Sequence, residues 1–417
     1  DDSDEQNEYP ADSDFIIDQS EIPDRIRTFE TGTNYNYRAQ LDYTLPFSEN
    51  GKFEAGYQAR IDDDLENYLF QNYDPDTREW INNSDFSTQS DFFRNIQALY
   101  STFSNQLGNY KFQLGLRAEY TDRRIKNQLT DEYAEINRID LFPTIHLSRQ
   151  FKNNHQLMAS YSRRIDRPRG WYLEPFLSYM DAYTLRKGDP NLEPEYMNSY
   201  ELGYQKTIGK SFIAFETYFK NTINKIERIQ TPYDLENGVT LMTFANVSKD
   251  NSLGAELMLN YGQQKWLDLN TSVSIYRYWL EGEINGESID TRSNNWNARV
   301  NATFNITSKT RLQVSGFYNG PSVTAQGRRE AFFYNSLALR QDFFDRKLSA
   351  TLQLRDVFGT AVYETYSYGN DFISYMKRSR EPRIFMISLS YKINNYKPSR
   401  PNNRGGGDNG MGEDQMF

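Results

Sequence analysis

The chain has 417 residues, a formal net charge of −10 and no cysteine, with two histidines and 15% aromatic residues. The lack of cysteine excludes disulfide frameworks and thiolate metal sites, and the acidic balance argues against a nucleic-acid footprint, which calls for a basic surface. Mean hydropathy is −0.82 and no run of about eighteen apolar residues occurs, which excludes helical membrane spans but leaves a barrel open, since its strands need apolar residues on the lipid face alone.

Residues 1–30 are acidic and weakly patterned (Asp1-Asp2-Ser3-Asp4-Glu5) and read as a solvated segment. The chain opens at Asp1 with no leader pattern, as expected of a processed chain or of a piece of something longer. From Thr33 the apolar residues recur with a period of two. Phe112, Leu114, Leu116, Ala118 and Tyr120 share one face, while Lys111, Gln113, Arg117 and Glu119 share the other. A helix would scatter both sets, so this stretch is a strand. The alternation returns in Leu253–Tyr261, Trp296–Ile306 and Lys347–Arg355. Such charged polar faces suit a wet lumen better than a sandwich interior, and about ten residues cross a bilayer with tilt.

About fifteen strands are predicted, near 33–46, 51–62, 88–107, 110–124, 136–150, 155–165, 197–208, 211–229, 242–261, 267–280, 294–307, 310–319, 332–343, 347–358 and 382–393. Tight turns fall at Glu49-Asn50-Gly51, Gly108-Asn109, Lys152-Asn153-Asn154, Gly209-Lys210, Gly262-Gln263, Ser308-Lys309 and Asp345-Arg346. Between them lie long polar connections: Asp62–Phe86, Asp122–Arg138, Asp166–Tyr196, Ile229–Phe244, Leu280–Ser293, Gly320–Ala331 and Gly359–Glu381. Short turns on one side and long loops on the other predict an all-β, antiparallel transmembrane β-barrel over residues 31–393, with the long loops outside the cell. An odd strand count cannot close an ordinary up-and-down barrel. Further strands are therefore expected upstream, with residues 1–30 in an extracellular segment. Tyr276, Tyr278, Trp279 and Trp296 are expected in the aromatic girdle. Residues 394–417, rich in Pro, Asn and Gly, are expected to form a disordered periplasmic tail.

One stretch breaks the alternation with a specified loop: Gly188-Asp189-Pro190-Asn191-Leu192-Glu193-Pro194-Glu195, followed by the strand residues Tyr200-Glu201-Leu202-Gly203-Tyr204. Its prolines and glycine exclude a helix and set where the next strand begins. Its carboxylates, Asp189, Glu193 and Glu195, are candidate ligand contacts; the alternative is that the whole stretch only shapes the loop. The clusters Asp62-Asp63-Asp64 and Asp74-Pro75-Asp76 lack the spacing of a calcium loop and read as solvated charge. Lumen-facing Arg117, Glu119, Glu256, Arg299 and Arg355 either tune permeation or pair across strands. His146 and His155 have no partner motif, and no cofactor, metal or enzyme signature is read.

The Gly188–Glu195 loop resembles a signature of the TonB-dependent outer-membrane receptors. Arg167-Pro168 ahead of it, Asn246 with Gly254 and Glu256, and Asp356 with Phe358 resemble further family positions. The resemblance covers residues 33–393 and is strongest to the outer-membrane β-barrel branch common in Bacteroidota. It implies a barrel of about 22 strands, of which this chain holds the C-terminal part, embedded in outer-membrane lipid of a Gram-negative cell. It also implies uptake of a nutrient ligand coupled to the TonB complex through a plug domain absent from these residues, with a surface lipoprotein lid as a partner by analogy. Two other readings stay open: a passive porin of 14–16 strands, and a structural or adhesion barrel.

Overall fold

The computed structural model describes residues 25–181, 183–284, 286–369 and 372–393. Most of the acidic segment and the Pro/Gly-rich tail therefore lie outside the described residues. In chain order the strands are β1 (Ile26–Pro46), β2 (Lys52–Asp74), β3 (Glu79–Asn82), β4 (Thr88–Leu107), β5 (Tyr110–Asn127), β6 (Tyr133–Phe151) and β7 (His155–Asp166). A four-residue helix, α1 (Gly170–Leu173), precedes β8 (Ser178–Asp181), β9 (Thr184–Arg186), β10 (Glu195–Ile208) and β11 (Ser211–Asp234). Next come β12 (Val239–Tyr261), β13 (Leu267–Ile284), β14 (Glu287–Asn305), β15 (Thr310–Asn319), β16 (Ser322–Thr324) and β17 (Gly327–Arg329). The last are β18 (Phe332–Phe343), β19 (Leu348–Arg355), β20 (Val362–Tyr368), β21 (Ile373–Ser379) and β22 (Ile384–Tyr391).

Eighteen strands share one sheet; β3, β8 and β9 are short additions to it, leaving fifteen that build the wall. Each wall strand pairs antiparallel with the next one along the chain. The same holds from β11 to β22. The first and fifteenth strands therefore run in the same direction. Among the described residues the sheet is open, with β1 paired to β2 alone and β22 to β19 alone. The tight turns use left-handed backbone where the chain reverses most sharply, at Gly108 and Gly209 with φ of +58° and +57°.

The wall alternates as the sequence reads. Leu114, Leu116 and Tyr120 are exposed on the outer face of β5, whereas Glu119, Thr121, Arg123 and Ile125 are buried on the inner face. Four connections read as loops turn out to be mostly continuations of the wall strands. β2 runs on to Asp74, β5 and β6 extend to Asn127 and from Tyr133, β11 and β12 to Asp234 and from Val239, and β13 and β14 to Ile284 and from Glu287. Once a ribbon clears the lipid neither face must be apolar, so the alternation fades. Its N–H and C=O groups still need partners, so the ladder continues.

Three further corrections follow from local geometry. β1 begins at Ile26, inside the segment read as acidic and unpatterned, because Ile26 to Glu30 pair with Asn72 to Tyr68 of β2. β19 ends at Arg355: Asp356 turns to φ +45° and its carboxylate accepts the N–H groups of Thr360 (2.9 Å) and Ala361 (3.2 Å). Phe358 thus lies beyond the strand, stacked on Phe333 with centroids 6.3 Å apart. The four expected girdle aromatics also split. Trp279 and Trp296 face outward, but Tyr276 and Tyr278 share the register of inner residues, Tyr276 opposite Gly254 and Tyr278 donating to Asp250 at 3.2 Å. Successive strand residues alternate sides, so neighbours such as Tyr278 and Trp279 cannot both meet lipid.

Candidate functional site

The loop between β7 and β10 folds back against the inner wall. Leu192, 1% exposed, packs with Leu173, Ile125, Met242 and Phe244 in a buried cluster, and Phe92, Trp171, Tyr172 and Ile226 close around it. Tyr172 lies flat on Phe244 with centroids 4.0 Å apart, and Trp171 meets Phe244 edge-on at 5.1 Å. Phe92 on β4 and Phe244 on β12 are six strand spacings apart, about 29 Å along a flat sheet. Both touch one small cluster, so the wall curves around the loop. Gly188 permits the closest approach: a Cβ there would stand 2.5 Å from the Tyr172 carbonyl oxygen and 2.6 Å from the Glu174 nitrogen.

Each residue of the loop motif has a definite place. Asp189 closes a turn by accepting the Asn191 N–H at 2.9 Å, and its own N–H donates to the Tyr172 carbonyl at 2.8 Å. Arg123 of β5 donates to the carbonyls of Pro190 (2.8 Å) and Leu192 (3.1 Å). Asn246 accepts the Glu193 N–H at 2.9 Å and donates to the Glu193 carbonyl at 2.9 Å and the Asn224 carbonyl at 2.8 Å. Asn224 sits at φ +56° within β11 and donates its amide to Glu193 Oε2 at 2.8 Å. Pro194 and Glu195 are buried, and Glu195 Oε1 accepts from Lys225 Nζ (3.0 Å) and the Ile226 N–H (2.7 Å). Among the three carboxylates read as ligand contacts, Glu193 is the exposed one, Asp189 is half-buried and Glu195 is buried against Lys225.

Arg167 and buried Pro168 lead the chain inward. Arg167 Nη2 reaches Glu119 Oε2 at 2.5 Å and Thr121 Oγ1 at 3.2 Å, while Arg117 holds the other Glu119 oxygen at 2.5 Å. Two of the inner-wall charges therefore pair with each other. Lower on the same wall Glu201 accepts from Ser160 and Ser199, each at 2.8 Å, while on the outer face Tyr204 meets His155 Nδ1 at 2.5 Å. Gly254 leaves room for Tyr218 and Tyr276, and Gly203 for Met158, which would be 3.2 Å from a Cβ. Glu256 lies directly opposite Glu216 and Ser274 in register. Tyr200, half exposed on the outer face, meets the Tyr161 ring at a tilt, centroids 4.9 Å apart. Sequence reasoning missed Arg123, Asn224 and Lys225, which sit in ordinary strand patterns; their partners are 30 to 69 residues away.

Two cavities flank the loop. One, of about 390 Å3, separates the α1 segment from the inner faces of β1, β2 and β4 and is lined by Arg60, Asp62, Arg94, Arg167 and Glu174 among others. The other, of about 890 Å3, lies at the long-loop end between β8–β9, the ends of β11 and β12, and a second, four-stranded sheet made of β16, β17, β20 and β21. That sheet is fastened to β11 by a two-point amide bridge: Gln326 accepts the Gln230 N–H at 2.7 Å and donates to the Gln230 carbonyl at 3.1 Å. Glu227, Arg228, Arg329, Lys377 and Tyr375 line the cavity, so it offers both charge signs and a ring.

Glu174 is the most strongly shifted carboxyl of the loop. Burial pushes its carboxyl up to about 7; Arg186, 2.7 Å away, opposes that, and Glu66 and Glu30 add to it. The closed loop therefore holds this proton more tightly than the open one. Its stability is greatest below the ordinary value of 4.5, falls as pH rises, and levels off above about 7. The span corresponds to roughly 3 kcal/mol. Amide exchange at Gly188 and Asp189, corrected for intrinsic rates, should quicken across that window, and Glu174→Gln should abolish the trend. A pH-independent opening rate in the unsubstituted protein would contradict it.

A wall of fifteen antiparallel strands with an apolar outer face, a charged inner face, short turns at one end and long structured loops at the other defines an integral outer-membrane barrel protein. The chain belongs to the outer membrane protein beta-barrel family, whose sequence profile matches residues 1–391. No curated protein matches it. Among solved structures it is similar to the ferric yersiniabactin uptake receptor FyuA from Yersinia pestis, at 11% identity and a TM-score of 0.60 over 85% of this chain and 53% of that one. The siderophore receptor PiuA from Acinetobacter baumannii gives 11% identity and a TM-score of 0.62 over 88% and 56%. The unliganded ferric citrate transporter FecA gives 13% and 0.61 over 88% and 55%. The chain thus spans about half the length of the structures it matches. At these identities the likeness is one of fold, and together with the family match it makes the chain an integral barrel of the outer membrane.

Proposed function

We propose that this chain is the C-terminal barrel portion of a TonB-dependent receptor that takes up a nutrient ligand. The observation that carries the reading is the open wall. Fifteen strands leave two edges running the same way, and an odd number of further strands is needed for antiparallel closure. A barrel of about 22 strands, with a plug and TonB-contacting segment outside these residues, meets that need with about seven more strands; a 16-stranded porin would meet it with one, and a 14-stranded porin would not. Ligand would be met first at the 890 Å3 cavity. Of the loop-motif carboxylates, Glu193 and Asp189 would be within its reach, whereas Glu195 would serve to hold the loop. The reading is tested by uptake of labelled ferric siderophores, cobalamin, glycans and peptides by cells with and without the gene. Uptake of one class that stops on adding a protonophore is expected. Uncoupler-insensitive leakage of many small solutes, with a steady open conductance in planar bilayers, would make it a porin.

A further inference from the structure

We propose that the lipid-facing surface of β6, β7, β10 and β11 holds a specific site for an outer-leaflet lipid, with an acyl chain in a groove and its headgroup phosphate on Arg163. The proposal rests on the outer-membrane assignment and not on receptor activity. The groove is a cavity of about 460 Å3, floored by Ala159 and Thr217 and walled by Leu147, Tyr161, Leu202 and Phe219. Register explains the depression. Ala159, Leu202, Thr217 and Ala255 are successive cross-strand partners, so one large side chain stands in a row of small ones. The next row toward the long loops is Tyr161, Tyr200, Phe219 and Leu253, which overhangs it as an aromatic ledge, with Tyr161 and Tyr200 at 4.9 Å and Tyr200 and Phe219 at 6.3 Å.

The row above the ledge turns polar: Arg163, Asn198, Asn221 and Asn251, again successive cross-strand partners. A hydrocarbon slot directly below a polar row reproduces the order of acyl chain and headgroup in a leaflet. Arg163 gives the row its charge. Its guanidinium lies over the Tyr196 ring at 5.0 Å, it has no ion-pair partner among the described residues, and its Nε is buried without a hydrogen-bond acceptor. Arg138, over the same ring at 5.1 Å, is by contrast served by Asp140 at 3.3 Å and Glu193 at 3.6 Å. Lys249, one row higher, has Glu281 at 3.0 Å. A guanidinium left with free donors at headgroup depth matches a phosphate, which it can bind through two parallel N–H···O bonds. The site lies at the long-loop end, so the lipid belongs to the leaflet facing outward.

The test is native mass spectrometry of the full chain, delipidated in detergent and titrated with bisphosphorylated lipid A, dephosphorylated lipid A and phosphatidylglycerol. Retention of bisphosphorylated lipid A is expected, with about tenfold weaker binding for Arg163→Gln and for the dephosphorylated lipid. Thr217→Phe, which fills the groove without touching the cation, should weaken the phosphorylated lipid as well. Arg346→Gln, in the short turn between β18 and β19 at the opposite end of the wall, should leave binding unchanged. Unaltered binding by both Arg163→Gln and Thr217→Phe would overturn the site, and equal binding of phosphatidylglycerol would overturn the outer-leaflet source.

Discussion

Leu192→Ala is expected to release the inward loop from the wall while leaving the wall strands paired. Leu192 is 1% exposed and contributes the one motif side chain that reaches the cluster formed with Ile125, Leu173, Met242 and Phe244. Removing three buried carbons from such a site costs about 3 kcal/mol, part of it for the cavity left behind. The loss falls on the loop, because the cluster joins α1 and the motif to the wall and does not join wall strands to each other. Amide exchange at Gly188, Asp189 and Leu192 should therefore rise about a hundredfold, and trypsin should gain access to Lys187. Exchange in β5 and β12 should stay slow. Equal protection of the loop in the variant and the parent protein would show that its hydrogen bonds to Arg123 and Asn246 suffice without the apolar anchor.

Glu195→Ala is the second large effect. Glu195 is buried, and its Oε1 is shared by Lys225 Nζ at 3.0 Å and the Ile226 N–H at 2.7 Å. Truncation leaves a mostly buried ammonium without its counter-charge and a backbone donor without an acceptor, which together cost about 3–5 kcal/mol. The double variant Glu195→Gln with Lys225→Met keeps an acceptor for Ile226 and removes the charge, so it should be less destabilised than Glu195→Ala alone. Urea unfolding of the detergent-folded protein, followed by tryptophan fluorescence, measures both. A double variant worse than the single one would mean that Lys225 stabilises the junction through contacts other than this pair.

Much of the wall was legible because its pattern is written locally. Alternation in Lys111–Tyr120 or Trp296–Ile306 records which side meets lipid, and turn length tells the two ends of the barrel apart. The fifteen strands and their common parity follow from those two signals. The girdle error has the same root: being near a strand end is visible along the chain, but the side of the sheet belongs to odd and even positions, which separates Tyr278 from Trp279. The strand extensions beyond Asp62 and Asp122 escaped notice because a solvated ribbon has no apolar face to mark it. Asp356 escaped because a reversal to positive φ is decided by which N–H groups its carboxylate captures.

The loop of Gly188–Glu195 shows where the division falls. Its prolines and glycine already excluded a helix and marked the start of β10, because those restraints act within a few residues. That it would fold inward was not in the stretch itself. Arg123 reaches it across 67 to 69 residues and Asn246 across 53. Only the curved wall brings those donors and the Leu192 cluster together, because burial and hydrogen-bond satisfaction depend on what lies opposite in space and leave no period along the chain.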